Sequence, residues 1–172
     1  HSFGGLTVMN TLIHHTNLFN AYVAIDPSMW WDNKKLLGEA KKALADKKYP
    51  NVSLFVGIAN SMEKGMDITK VKKDTSEDTR HIRSILELDN YLNQNKQNQL
   101  KYQSKYYKDD DHNSVTLITE YDALRFIFDF YKLPLKWSEQ TNVDKDVVSK
   151  IGHHYTEVSK KFGYNVKAPE SL

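Results

Sequence analysis

His1-Ser2-Phe3-Gly4-Gly5 opens the chain, and its reading decides the fold. These residues read as the remainder of a G-x-S-x-G turn whose leading glycine would precede His1. In such a turn a serine sits in a strained conformation between a strand and a helix. Small residues flank it because the two backbones pass closely there. Ser2 is then the candidate nucleophile. The Phe3 backbone N–H is the candidate donor to the oxyanion that forms when a serine attacks a carbonyl. S-x-G alone is a short pattern that many turns carry, so the weight falls on what surrounds it.

Working outward, a helix is due immediately. Gly4 to about Asn17 carries Leu6, Met9, Leu12 and Ile13 on or near one face. His14 and His15 fall at its far end and read as surface residues. Asn20–Asp26 is a short apolar run suited to a buried parallel strand. It leads into the loop Asp26-Pro27-Ser28-Met29-Trp30-Trp31-Asp32. Residues 34–47 suit a helix with Leu36, Leu37, Ala40 and Leu44 as its stripe and Asp32 or Asn33 as N-cap. A second buried strand follows over 51–59, then a loop carrying Glu63 and Asp67. Strand, helix, strand at this spacing predicts a right-handed parallel crossover.

A helix is expected from Thr75 to about Asn93, with Thr75-x-x-Asp78 as a capping box and Ile82, Ile85, Leu86, Leu88 and Leu92 inside. His81, between Arg80 and Arg83, reads as a solvated helix residue outside any site. Residues 101–107 form a third strand, at the sheet edge. Asp109-Asp110-Asp111 reads as a solvated acidic turn, and it brings His112 to the start of a helix over about 114–131. Past Pro134 an extended connection leads to a helix over 142–162, stopped by Gly163. His153 and His154 are adjacent on that helix and diverge, unlike the i, i+4 pair that holds zinc.

Composition narrows the function classes. The 172 residues carry a formal net charge of +2, with 40% hydrophobic and 27% charged residues and no cysteine. Disulfides, thiolate metal sites and a cysteine nucleophile are therefore excluded. No basic stripe suits nucleic acid, and no apolar run is long enough for a membrane helix. The compartment stays open between cytoplasm and periplasm or exterior.

The candidate residues fall in a telling order: serine at a strand–helix turn, acids after the second strand, histidine after the third. That is the Ser…Asp/Glu…His order of α/β-hydrolases. Ser2 needs a base, which His112 can be near neutral pH. A carboxylate must orient that imidazole and stabilise its protonated form. Glu63 and Asp67 lie in the loop where the fold places this acid, and Asp26 at the end of the preceding strand is the alternative.

Three stretches together carry a resemblance: His1-Ser2-Phe3-Gly4-Gly5, then Asp26-Pro27-Ser28-Met29-Trp30-Trp31, then His112-Asn113-Ser114-Val115. They resemble the bacterial esterase family that includes the siderophore esterases and relatives of esterase D. That family's patterns read GHSFGG, S-P-S-x-W-W and H-x-S-V. The resemblance covers about residues 1–131 and implies Ser2 as nucleophile and His112 as base. Met62-Glu63-Lys64-Gly65 resembles an L-E-K-G stretch in some members, which favours Glu63 as the acid. The chain departs from the pattern with Asp26 where many members have serine, and with a longer approach to Glu63. The tail from about 143 loosely resembles extensions that lead into a helical-repeat region.

The expected fold class is α/β: three α/β/α layers around a mainly parallel sheet, the C-terminal part of an α/β-hydrolase over 1–132. A linker and helical extension follow over 133–172. The expected chemistry is cleavage of a small-molecule carboxylic ester by Ser2, His112 and Glu63, with His1, Met29, Trp30 and Trp31 bordering substrate and no metal or cofactor. The rival reading is a non-catalytic α/β module for binding or assembly. Because the strand leading into Ser2 lies upstream of His1, these residues are expected to pair with a missing N-terminal half, or with another copy, and to be inactive alone.

Overall fold

The computed structural model describes residues 1–169. They divide into two compact units, the first ending at Ile127 and the second beginning at Phe128.

The first unit is built on three parallel strands in the order β1 (Ala21–Ile25), β2 (Ser53–Ala59), β3 (Lys101–Tyr107). Successive strand residues point to opposite faces, and the sequence supplies apolar residues to both. Tyr22, Ala24, Leu54, Val56 and Ile58 face one layer. That layer contains α1 (Phe3–His14), α2 (Trp31–Asp46) and α4 (Arg80–Gln94), through residues such as Met9, Leu12, Leu37, Leu44, Ile82 and Ile85. Ile25, Ala59 and Tyr107 face the other side, under Val115 of α5 (Val115–Ile127). The sheet is thus covered on both faces, as parallel sheets require. β3 alternates exposed and half-buried residues until Tyr107 and lies at one edge of the described sheet.

The contact of α5 with β2 is close enough to dictate a glycine. A Cβ at Gly57 would stand 2.4 Å from both Cγ2 and Oγ1 of buried Thr119. At the opposite layer, a Cβ at Gly5 would meet Pro27 at 3.0 Å and the Ile25 carbonyl at 3.1 Å. The tight approach expected behind Ser2 therefore falls on Gly5. Gly4 would meet nothing within 4 Å.

Two helix starts differ from expectation. Asp32 and Asn33 do not cap α2. With Lys34 they adopt left-handed backbone angles inside its first turn, a costly conformation that Asp and Asn tolerate better than Lys. The helix foreseen from Thr75 begins at Arg80. Residues 74–79 wrap around Asp74, whose carboxylate accepts from the Ser76 and Thr79 hydroxyls and is held down to about 2 by them. Hydroxyls so engaged cannot cap, and Thr79 makes no side-chain capping bond. A one-turn helix, α3 (Ile68–Val71), interrupts the loop after β2, and the Asp67 carboxylate caps it by accepting from Thr69 N and Lys70 N.

The second unit holds α6 (Trp137–Thr141) and α7 (Lys145–Phe162). Asp144 caps α7 through Val147 N, and Gly163 ends it at φ 73°, as the sequence leads one to expect. Phe128, Phe130 and Phe162 form an aromatic cluster with Tyr131 and Tyr164. No helix among the described residues is long and apolar enough to cross a membrane.

Gly57→Ala is expected to destabilise the first unit by about 1–3 kcal/mol, the usual cost of overpacking. Adding Thr119→Ala should recover part of the loss, measured by urea denaturation.

Candidate functional site

The site lies at the carboxyl end of the parallel sheet, where strands finish and the helices after them begin. Ser2 occupies the turn into α1 at φ 56°, ψ −120°, a region closed to most L-residues. The turn is tied to β1: Ser2 N donates to the Ile25 carbonyl at 3.0 Å, and Ser28 N donates to the Ser2 carbonyl at 3.1 Å. Ser2 Oγ lies 3.4 Å from Ser28 Oγ. Phe3, the first residue of α1, has a backbone N–H with no acceptor in its own helix.

Asp26 follows β1 at φ 39° and is fully buried. Its backbone N–H donates to the Gly57 carbonyl at 2.8 Å, and its Oδ1 accepts from Ala59 N at 3.0 Å. Its Oδ2 accepts from His112 Nδ1 at 2.6 Å and from His81 Nε2 at 2.8 Å. Burial pushes its carboxyl pKa up. The hydrogen bond and charge of His81, the His112 bond and the Ala59 N–H outweigh that, so the group titrates below the ordinary carboxylate range.

His112 stands in the turn between β3 and α5. Asp111 Oδ1 accepts from Asn113 N and Ser114 N, and Asp110 accepts from the Ser114 hydroxyl, so the acidic run organises the turn. His1 Nε2 donates to the His112 carbonyl at 2.7 Å, with the two rings 4.3 Å apart. Since an ionised carboxylate only accepts, His112 carries its proton on Nδ1 toward Asp26. Nε2 is left with a free lone pair, the arrangement a general base requires.

Ser2, Phe3, Ser28, Trp30, Ser61, Glu77, Arg80, His81 and His112 line a pocket of about 360 Å³. A larger cavity of about 620 Å³, lined by Lys34, Lys72, Arg83 and Glu87 among others, includes none of these residues. The Arg80 guanidinium lies 4.5 Å from the Trp30 ring centroid and pairs with Glu77 at 2.8 Å.

Several expectations need correcting. Glu63 is solvent-exposed and makes no hydrogen bond with His112; its backbone carbonyl accepts from Met66 N. Asp67 is occupied as a helix cap. The acid against His112 is Asp26, the sequence alternative. Met29 is fully buried in the core and cannot border a substrate. Trp30 lines the pocket, while exposed Trp31 packs edge-on against Phe3 at 5.0 Å. His81, read as a surface residue, points into the site. Its signal was topological, since the helix after a parallel strand starts at the sheet's carboxyl edge.

Asp26, His81 and His112 are also the group, among the described residues, whose donor atoms come within 4.8 Å of one another, a spacing a cation could use. Here these atoms are engaged with each other in hydrogen bonds.

No family model matches the chain. A 62-residue stretch is 36% identical to a siderophore enterobactin esterase of Emericella nidulans, covering 33% of this chain and 20% of that protein. A 48-residue stretch is 40% identical to a siderophore triacetylfusarinine C esterase of Aspergillus fumigatus, covering 28% of this chain and 16% of that one. Among solved structures, an IroE-like serine hydrolase from Shewanella oneidensis superposes with a TM-score of 0.70 at 28% identity. That match covers 96% of this chain and 47% of the other, so the chain spans about half the length of that hydrolase.

Because the folded-state pKa of Asp26 is depressed, its stabilising contribution is present above the ordinary carboxylate pKa, near 4. It is lost as pH falls through the lower folded value. Asp26→Asn should therefore be less stable than the parent at pH 7, and the gap should narrow toward pH 3, read from urea midpoints at the two pH values.

Proposed function

We propose that this chain, a member of the α/β-hydrolase-fold esterase family that contains the siderophore esterases, carries the reacting centre of a serine hydrolase that cleaves carboxylic esters. The observation that carries the reading is the 2.6 Å bond from His112 Nδ1 to buried Asp26, in a pocket that also exposes Ser2 on its strained turn. In this mechanism His112 Nε2 takes the Ser2 hydroxyl proton as Oγ attacks the ester carbonyl. The Phe3 N–H donates to the developing oxyanion. Asp26, in place of Glu63, stabilises the imidazolium. His112 then protonates the departing alcohol, and water releases the acyl group by the same steps. Trp30 and Arg80 border the bound ester.

Ester-linked siderophores, on which the relatives are named as acting, are the first substrates to assay. The chain corresponds in this reading to the C-terminal half of the hydrolase. The preceding half supplies the strand entering Ser2 and a second oxyanion donor, so residues 1–172 alone should turn over no ester. Measurable turnover by that piece would contradict this division of labour.

A fluorophosphonate probe should label the intact protein and fail on Ser2→Ala. Asp26→Asn should lower kcat by about 10⁴-fold, as loss of the orienting acid does elsewhere, while Glu63→Gln stays within about twofold of the parent, the effect expected of an exposed residue outside the centre. A folded intact protein that resists the probe would sink the hydrolase reading. Equal losses in Asp26→Asn and Glu63→Gln would sink the acid assignment.

A further inference from the structure

A triad uses one histidine, and this site has two on one carboxylate oxygen. Asp26 Oδ2 accepts from His112 Nδ1 at 2.6 Å and from His81 Nε2 at 2.8 Å. A carboxylate oxygen offers two acceptor positions, and both are taken. The remaining oxygen is occupied by Ala59 N–H. The two imidazoles meet edge to face, 5.2 Å between centroids at 89°. His81 is the second residue of α4, and Ser84 Oγ donates to its carbonyl at 2.7 Å. Its side chain is 21% exposed and lines the pocket beside Ser2 and His112.

We propose, resting on the hydrolase reading above, that His81 is a positioning residue of the reaction, one that fixes which Asp26 oxygen faces His112 and shares that oxygen's charge with it. A carboxylate divided between two N–H donors holds each less strongly than it would hold one. The imidazolium that forms on His112 is then stabilised less than it would be by a carboxylate oxygen bound to His112 alone. The single N–H that His81 Nε2 directs at Oδ2 is the contact through which it does this. The other ionisable groups around the pair include Asp110 and Asp111 of the His112 turn, whose carboxylates are bound to Ser114 and Asn113. Glu77 and Arg80 precede His81 and neutralise each other in an ion pair. His1 lies against the His112 ring.

The test compares the intact parent enzyme with His81→Leu and His81→Gln. Glutamine can place an amide N–H near the Nε2 position, whereas leucine offers no donor. The readouts are the acid limb of the kcat/KM–pH profile and the His112 imidazole titration by NMR. In His81→Leu both midpoints should rise together by roughly 0.5–1 pH unit, the scale on which a single neighbour acts. In His81→Gln both should return to within about 0.2 unit of the parent, since the donor is retained. An unmoved His112 titration in folded His81→Leu would overturn the inference, as would equal shifts in the two variants. If leucine prevents folding, His81→Asn, whose amide is too short to reach Oδ2, takes its place with the same expectations. The NMR titration needs no turnover, so loss of the hydrolase reading and loss of this one remain separate outcomes.

Discussion

The Asp26 carboxylate is closed off from water, and an ionised carboxylate in that position survives only with its lone pairs occupied. Three separate parts of the chain supply the donors: Ala59 at the end of β2, His81 in the first turn of α4 and His112 before α5. The group itself hangs from the end of β1, where its own N–H is tied to Gly57. One buried charge thus holds the carboxyl ends of the first two strands together with the segments that follow β2 and β3. The same bonds give His112 its tautomer and its free Nε2. The tie between the strand ends and the orientation of the His112 ring come from one set of contacts.

The remaining geometry follows from how closely the layers pass. Ser2 can stand proud of the sheet because Gly5 lets α1 approach the Ile25 carbonyl and Pro27. The Ser2–Ile25 hydrogen bond then fixes the strained turn against β1. On the far face, Gly57 lets α5 descend onto β2, and the start of that helix is where the His112 turn is anchored. Left-handed backbone occurs at Ser2, Asp26 and residues 32–34, in or beside the segment that frames the pocket, and also at Asn51 and Gln99 away from it.

Much of the fold was legible in sequence. The three strands, the helices between them and the Gly163 stop are written in local apolar periodicity and turn chemistry, which act over a few residues. The misreadings have local causes too. Thr75-x-x-Asp78 has the pattern of a cap, but Asp74 captures the neighbouring hydroxyls first. Met29 sits in an aromatic loop and looks like a pocket residue, yet it is drawn into the core. Asp26 was conspicuous as a departure from the family's serine at that position. Its rank below Glu63 came from expecting the acid in the later loop and from the likeness of Met62-Glu63-Lys64-Gly65 to an L-E-K-G stretch.

What the sequence determined by itself was the order of chemistry-bearing residues along the chain, with Ser2 at a turn and His112 between a strand and a helix. In a parallel α/β sheet that order sends both to the carboxyl edge whatever the loops do. Which carboxylate meets His112, and that His81 joins it, only the tertiary structure decided. Those pairings span 86 and 55 residues of chain. They depend on β1 and β2 lying side by side in register and on where α4 begins, and no local pattern encodes that.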